Sequence, residues 1–317
     1  MTILVAPLNW GLGHASRCVP LVHRFLDEGH EVILGGDGES LVLLRRHFPK
    51  LRYVYLAPLT LRYSSGKSQV WAMLKALPSL VRWAIKDHTI LKVVLNEEHI
   101  DRVVSDNRFG LYNKHVECIY MTHQLHILLP KTFKWAEGIA ERLHAWVYRH
   151  YDRVWVPDYE EMDKSLAGEL SHPIKLRVKK LKMDYIGPLS RFSDFSVSCF
   201  SSSYDVVAVL SGLEPQRSLL ETELKHRYAG SNERVLLVQG LMNKPNTCFK
   251  RGNMTIVPYI KDEELVNAMC GAKHLIARSG YSTIMDMDAL GMLQKVELIP
   301  TSGQPEQEYL AILHSKK

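Results

Sequence analysis

The sequence has 317 residues, 46% of them apolar and 23% charged, with a formal net charge of +6. That is a globular composition with room for about two domains, and it excludes a disordered, collagen-like or disulfide-scaffold chain. No apolar run approaches the roughly 18 residues of a spanning helix. The start, Met1-Thr2-Ile3-Leu4-Val5-Ala6-Pro7, lacks the basic n-region of a signal peptide. Cys18, Cys118, Cys199, Cys248 and Cys270 are scattered without paired spacing; they read as reduced thiols of a cytoplasmic protein, with no zinc site. A modest basic charge suits phosphorylated small molecules or anionic lipid. Without a zinc-finger, RNP or long Lys/Arg run, nucleic acid is not an expected partner.

Short β-branched runs alternate with helical stretches. The first series places strands at 2–6, 31–34, 52–55, 102–104, 118–121, 153–156 and 184–186. Between the first two, 16–28 carries Val19, Val22, Phe25 and Leu26 at helical spacing. Strand, helix and strand in about 35 residues make a βαβ unit, so a parallel sheet is expected. Residues 70–95 mix Trp71, Leu74, Leu77, Val81, Trp83 and Ile85 with Lys75, Arg82 and Lys86. They read either as one or two helices packed on the sheet or as a basic amphipathic surface that touches anionic membrane.

The segment 191–203 is serine-rich and aperiodic, and reads as a linker. The pattern then restarts, with strands at 205–210, 235–238, 255–257, 274–277 and 296–299 and helices at 215–226, 262–270, 281–290 and 305–313. The expected fold is α/β: a Rossmann-like, doubly wound domain over 1–190, a linker over 191–203 and a second such domain over 204–317. Ligands of such sheets bind at the carboxyl ends of strands, here in an expected interdomain cleft.

Several strand ends carry chemistry. Asn9-Trp10-Gly11-Leu12-Gly13-His14 follows the first strand. Its glycines allow a tight turn and bring backbone N–H groups near a ligand, while a helix N-terminus keeps His14 neutral, as a general base requires. The third Rossmann glycine is replaced by Ser16, so no nicotinamide cofactor is expected. Ser105-Asp106-Asn107-Arg108, Thr122-His123-Gln124 and Pro157-Asp158 end later strands; turn formation is the plain alternative for each. In the second half, Arg278-Ser279-Gly280-Tyr281-Ser282-Thr283 runs from strand into helix. The N–H groups of Ser279, Gly280 and Tyr281, with nearby hydroxyls, would cradle a diphosphate. Asp286, six residues past Gly280, could accept from ribose hydroxyls. The run Asp286-Met287-Asp288 resembles a metal signature, but residues two apart on a helix face different ways, and no metal is expected. Glu306 and Gln307 suit sugar hydroxyls. Ser211-Gly212 and Gln239-Gly240 are further strand–glycine junctions.

Gly11-Leu12-Gly13-His14, with Ala277-Arg278-Ser279-Gly280 and Gly303-Gln304-Pro305-Glu306-Gln307, resembles the glycosyltransferases of the GT-B fold. The nearest group is family 28, which includes the enzyme that adds N-acetylglucosamine to a lipid-linked peptidoglycan precursor. The resemblance is most specific over 256–311 and weaker over 1–20. It implies a UDP-linked sugar donor on the C-terminal domain, an acceptor on the N-terminal domain, and transfer with inversion without metal or cofactor. Ser279, Gly280 and Tyr281 then match the diphosphate loop, Asp286 the ribose-binding acid, Glu306 and Gln307 the sugar-reading pair, and His14 the histidine of the acceptor loop. A second glycine-rich loop of the family has only Gly35-Gly36 as a counterpart. The family also continues with a helix that crosses back to the first domain, whereas the sequence given runs to Lys317.

The expectation is therefore a glycosyltransferase with His14 or Asp106 as base. Arg278, Ser279, Gly280, Tyr281, Ser282, Asp286, Glu306, Gln307, Ser211 and Gly212 would bind the donor. Gly11, Gly13, Asn107, His123 and Gln124 would bind a glycan or lipid-linked acceptor. The expected setting is the cytoplasm, peripheral on the inner membrane face. A nucleotide-sugar 2-epimerase and a nucleotide-sugar-binding protein without turnover are the alternatives.

Overall fold

The structure is a computed structural model that describes residues 1–59, 69–173, 182–195 and 203–315, with the backbone alone over 69–76. It divides into two compact units: Met1–Asn9 with His14–Leu189, and Trp10–Gly13 with Ser190–Lys317.

The first unit runs β1 (Thr2–Pro7), α1 (Gly13–Asp27), β2 (Glu31–Gly36), α2 (Gly38–His47), β3 (Arg52–Tyr55), α3 (Gln69–Glu97), β4 (Arg102–Asp106), β5 (Glu117–Met121), a 3-10 turn (Lys131–Ala136), α4 (Glu137–Tyr148), β6 (Arg153–Val156) and β7 (Lys182–Tyr185). Its seven strands are all parallel in the order β3-β2-β1-β4-β5-β6-β7. β1 is buried along its whole length, as a central strand covered on both faces must be, which is why it reads as a continuous apolar run. Gly35 is a packing residue: a Cβ there would stand 3.0 Å from Leu4 and 3.1 Å from Leu56. It lies inside β2, which removes it from any glycine-rich loop.

The second unit runs β8 (Val206–Val209), α5 (Gln216–Arg227), β9 (Val235–Val238), β10 (Phe249–Arg251), β11 (Met254–Val257), α6 (Asp262–Gly271), β12 (His274–Arg278), α7 (Tyr281–Ala289), β13 (Val296–Ile299) and α8 (Pro305–Ser315). The sheet order is β10-β11-β9-β8-β12-β13, parallel except for β10. Of the serine-rich segment, 196–202 lies outside the described residues, and so does Cys199. Phe192 belongs to the second unit's core, in one cluster with Leu265 and Leu275.

The fold departs from the sequence reading in three places. The edge strand β10 is unexpected, since all three of its residues are exposed and give no apolar period. The helices α2 and α4 are also unexpected. Residues 70–95 form one helix, α3, and Trp83 belongs to its inner side: it is buried, and its Nε1 donates to the Ala57 carbonyl at 2.8 Å. Leu77, Val81 and Ile85 are exposed, whereas the side chains of Trp71, Leu74 and Lys75 lie outside the described residues.

One buried ion cluster ties this unit together. Arg108 is fully buried. It donates to Asp87 at 2.9 and 3.0 Å, to Asp37 at 2.8 Å and to the Ala57 carbonyl at 2.7 Å. It thus joins the end of β4 to α2, α3 and the segment after β3. Arg108→Met would leave two buried carboxylates without their cation. The expected loss is about 3–5 kcal/mol of unfolding free energy, read by urea denaturation. A loss below about 1 kcal/mol would mean that the cluster does not hold these elements.

Candidate functional site

In a doubly wound sheet, ligands meet the carboxyl ends of the two strands where the winding reverses. In the first sheet these are β1 and β4, paired from Ile3↔Arg102 to Pro7↔Asp106. In the second they are β8 and β12, paired up to Val209↔Ala277. The chemistry-bearing loops follow these four strands.

In the first sheet, the chain leaves β1 through a turn in which Gly11 has φ +75°, a left-handed conformation glycine adopts without a steric penalty. Gly11 and Gly13 group by contacts with the second unit, and His14 groups with the first. His14 stands in the first turn of α1, and Arg17, three residues on, shares its helix face. Both converge on Asp106, the last residue of β4. Arg17 Nε donates to Asp106 Oδ2 at 2.7 Å, and Arg17 Nη2 donates to Oδ1. His14 Nδ1 lies 3.1 Å from Asp106 Oδ1 and 2.9 Å from Arg17 Nη2. His14 Nδ1 can donate to the carboxylate or accept from the guanidinium, but one tautomer cannot do both. Burial opposes ionisation of Asp106, but the Arg17 charge and the contact with His14 outweigh it and hold the carboxyl well below the usual carboxylate range. Asp106 is fully buried, while His14 is partly exposed.

The other candidates here take part in local hydrogen bonds. His123 is buried, its Nδ1 3.2 Å from Arg17 Nη1. Asn107 adopts φ +56°, which asparagine tolerates, and its Oδ1 accepts from the Tyr120 hydroxyl at 2.9 Å. The Gln124 backbone N–H donates to Thr122 Oγ1 at 3.1 Å. Asp158 is a loop organiser: its carboxylate accepts from Ser165 Oγ at 2.6 Å, Ser171 Oγ at 2.5 Å and the N–H groups of Tyr159 and Leu166 at 2.9 Å each. The sequence reading missed Arg17 as a site residue. Its only signal was the i, i+3 spacing from His14.

In the second sheet, Gly280 caps α7 in an extended conformation, so the helix N-terminus opens directly after β12 with N–H groups that have no carbonyl partner four residues back. A Cβ at Gly280 would meet nothing within 4 Å. Ser279 is buried, and its hydroxyl donates to the Gln307 carbonyl at 2.8 Å. The Gln307 side-chain oxygen accepts from the Thr301 N–H at 2.9 Å. The loop after β12 and the start of α8 are thereby joined, with Glu306 half-buried beside them. Arg278 is buried and donates to the carbonyls of Pro300 at 3.0 Å and Gln216 at 2.8 Å. Its buried Nε has no hydrogen-bond partner among the described residues. Tyr281 is buried in the first turn of α7, where Ser282 is half-buried. Ser211 and Gly212 follow β8, with Gly212 at φ +100°.

Asp286 is buried, and its Oδ1 accepts from the Ser190 hydroxyl at 2.6 Å. Burial pushes its carboxyl up to about 6, against the opposing pull of the nearby Arg191 charge and the Ser190 hydroxyl. In this arrangement one carboxylate oxygen is already engaged. Among the described residues, no group of three or more His, Cys, Asp or Glu side chains could hold a metal ion.

No family model matches the chain. Over 97% of its length it is 24% identical to an uncharacterized glycosyltransferase of Methanosarcina acetivorans, 82% of which is covered. Among solved structures it is similar to the Streptomyces sp. SF2575 glycosyltransferase SsfS6 complexed with thymidine diphosphate. That match has a TM-score of 0.59 at 13% identity and covers 99% of this chain and 86% of the other. It is also similar to Arabidopsis thaliana UGT89C1 complexed with UDP, with a TM-score of 0.57 at 15% identity, covering 99% and 89%. At these identities the solved structures establish the fold, which is the pair of Rossmann-like parallel sheets of GT-B glycosyltransferases.

The burial of Asp286 sets a pH dependence. Its carboxyl titrates near 6 in the folded chain and near 3.8 when unfolded. A raised acid favours the folded state while protonated, so its contribution is lost as pH rises from about 4 through 6. Asp286→Asn removes that loss. The stability of the variant relative to the unsubstituted chain should therefore rise by about 2 kcal/mol between pH 4 and pH 7, measured by urea denaturation at both. A difference that stays constant with pH would contradict the assignment.

Proposed function

We propose that the chain is a glycosyltransferase that moves a sugar from a nucleoside diphosphate, UDP being the first candidate, to an acceptor hydroxyl with inversion at the anomeric carbon. The observation that carries this reading is the His14–Asp106 pair at the reversal point of the first sheet. In the tautomer with a proton on Nδ1, His14 donates to Asp106, and Nε2 is left to take the acceptor's proton. Asp106 is too deeply buried to meet an acceptor itself. Its role is to hold the ring and to stabilise the imidazolium that forms. The acceptor oxygen bonds to the anomeric carbon as its proton passes to Nε2, and the bond from that carbon to the diphosphate breaks with its electron pair leaving on the phosphate.

The donor belongs to the second unit. The N-terminus of α7 and the loop around Ser279 and Gly280 would hold the leaving diphosphate, and the buried Arg278 places a cation behind them. Asp286 would take the ribose, exchanging its Ser190 contact for sugar hydroxyls. Glu306 and Gln307 would read the donor sugar, and Ser211 and Gly212 would line the facing strand end. On this reading, turnover needs no metal. The acceptor is proposed to be a glycan or lipid-linked hydroxyl, as the resemblance to family 28 implies.

The test is His14→Ala. Its kcat should fall about 10²–10⁴-fold, the range for a removed general base, while UDP affinity by calorimetry stays unchanged. Activity of the unsubstituted chain should survive EDTA. Retained turnover in His14→Ala would remove the base assignment. Loss in EDTA with recovery on manganese would show that a metal holds the diphosphate.

A further inference from the structure

The 3-10 turn and α4 present a row of large apolar side chains to solvent. Trp135 is 75% exposed and Trp146 54%, with Ile139 and Leu143 exposed between them. The spacing 135, 139, 143, 146 follows one side of a helix. The opposite side carries Ala145 and Tyr148 into the core. A second row stands on α3: Val81 is 58% exposed and Ile85 60%, with Leu77 and Val93 exposed before and after them.

The two rows lie on the same face of the sheet. α3 joins β3 to β4, and α4 lies between β5 and β6, so both crossovers run in one direction along the strand order. Right-handed crossovers in one direction place their helices on one side. Ring contacts bear this out. Phe109 lies 5.8 Å from Trp83 of α3 and 6.3 Å from His144 of α4. Tyr112 lies 4.7 Å from His88 and 4.8 Å from His150. Solvent-facing apolar area on this scale marks an interaction surface.

Charge indicates the occupant. Lys131, Lys134, Arg142 and Arg149 are exposed around the α4 row, and Arg82 and Lys86 are exposed beside the α3 row. The acids near the two rows are turned away or occupied, apart from Glu97, which is exposed at the far end of α3. Asp87 is buried on Arg108, Glu141 is paired with His126, and Glu137 accepts from the Leu129 N–H at 3.1 Å. The Arg149 guanidinium stands over the Trp146 ring, 5.3 Å from its centroid. Indoles and aliphatic side chains bordered by unopposed cations match the boundary of a bilayer with anionic headgroups.

We propose that the outer faces of α3, the 3-10 turn and α4 form a surface by which the chain docks peripherally on an anionic membrane. This rests on the proposed function only for its purpose, delivery of an amphiphilic acceptor. Co-sedimentation with phosphatidylcholine vesicles, with and without phosphatidylglycerol, tests it without donor, acceptor or turnover. The chain should sediment with the anionic vesicles alone at low salt, and release as salt rises toward 1 M. Lys134→Gln with Arg142→Gln should weaken partitioning about 30-fold, at about fivefold per basic group. Trp135→Ser with Trp146→Ser should weaken it by roughly tenfold or more. All four side chains are exposed, and circular dichroism reports that the variants remain folded. Absence of sedimentation with anionic vesicles at low salt would overturn the proposal. So would a dimer in analytical ultracentrifugation that Trp135→Ser with Trp146→Ser abolishes, since the face would then join two copies. Vesicle binding by a chain that transfers no sugar would leave this surface assigned and overturn only the enzymatic reading.

Discussion

Residues 106–108 set an anion, a left-handed turn and a cation in succession at the end of β4, with both charges withdrawn from water. Neither charge is tolerable there alone, because burying an unpaired ion costs several kcal/mol. Each recruits partners from far along the chain. Asp106 takes Arg17 and His14 from α1. Arg108 takes Asp37, at the start of α2, and Asp87 on α3. Asn107 bends the backbone between them so that the two side chains serve separate clusters. The demand that these ions be paired therefore fixes α1, α2 and α3 relative to the central strands, and with them the position of His14.

The second sheet solves a different problem at its own reversal point. It gathers backbone N–H groups at the start of α7, a serine and an amide that join two loops, and a buried arginine whose Nε has no partner among the described residues. Such an assembly favours an anion without supplying one. On the proposed function, the first sheet would offer a proton acceptor backed by a carboxylate, and the second would offer donors. Transfer of a sugar from a diphosphate needs one of each.

Much of the fold was legible because a central parallel strand is apolar throughout and the helices between strands carry a period near 3.6. The glycine turn before His14 and the strand–Ser-Gly–helix junction at 279–281 were visible for the same reason: local backbone geometry demands particular residues. What was not legible depends on partners distant in sequence. The Arg17–Asp106 pair spans 89 positions, and nothing local distinguishes Arg17 from a surface arginine. Asp286 reads as an open carboxylate, yet Ser190, 96 positions away, engages it. α4 was missed although its residues keep a helical period; its outward side carries Ile139, Leu143 and Trp146, so the period does not mark which face is buried. β10 is too short and too exposed to carry a pattern.

On the proposed function, the second unit would recognise a nucleoside diphosphate through its phosphates. Thermal or urea unfolding of the intact chain in the presence of UDP, compared with uridine, tests it most directly. UDP at 100 times its dissociation constant should add about 2.7 kcal/mol of stability, and uridine at the same concentration should add far less, because it lacks the group that the start of α7 would hold. Equal stabilisation by uridine and UDP, or none by any nucleoside diphosphate, would contradict the account.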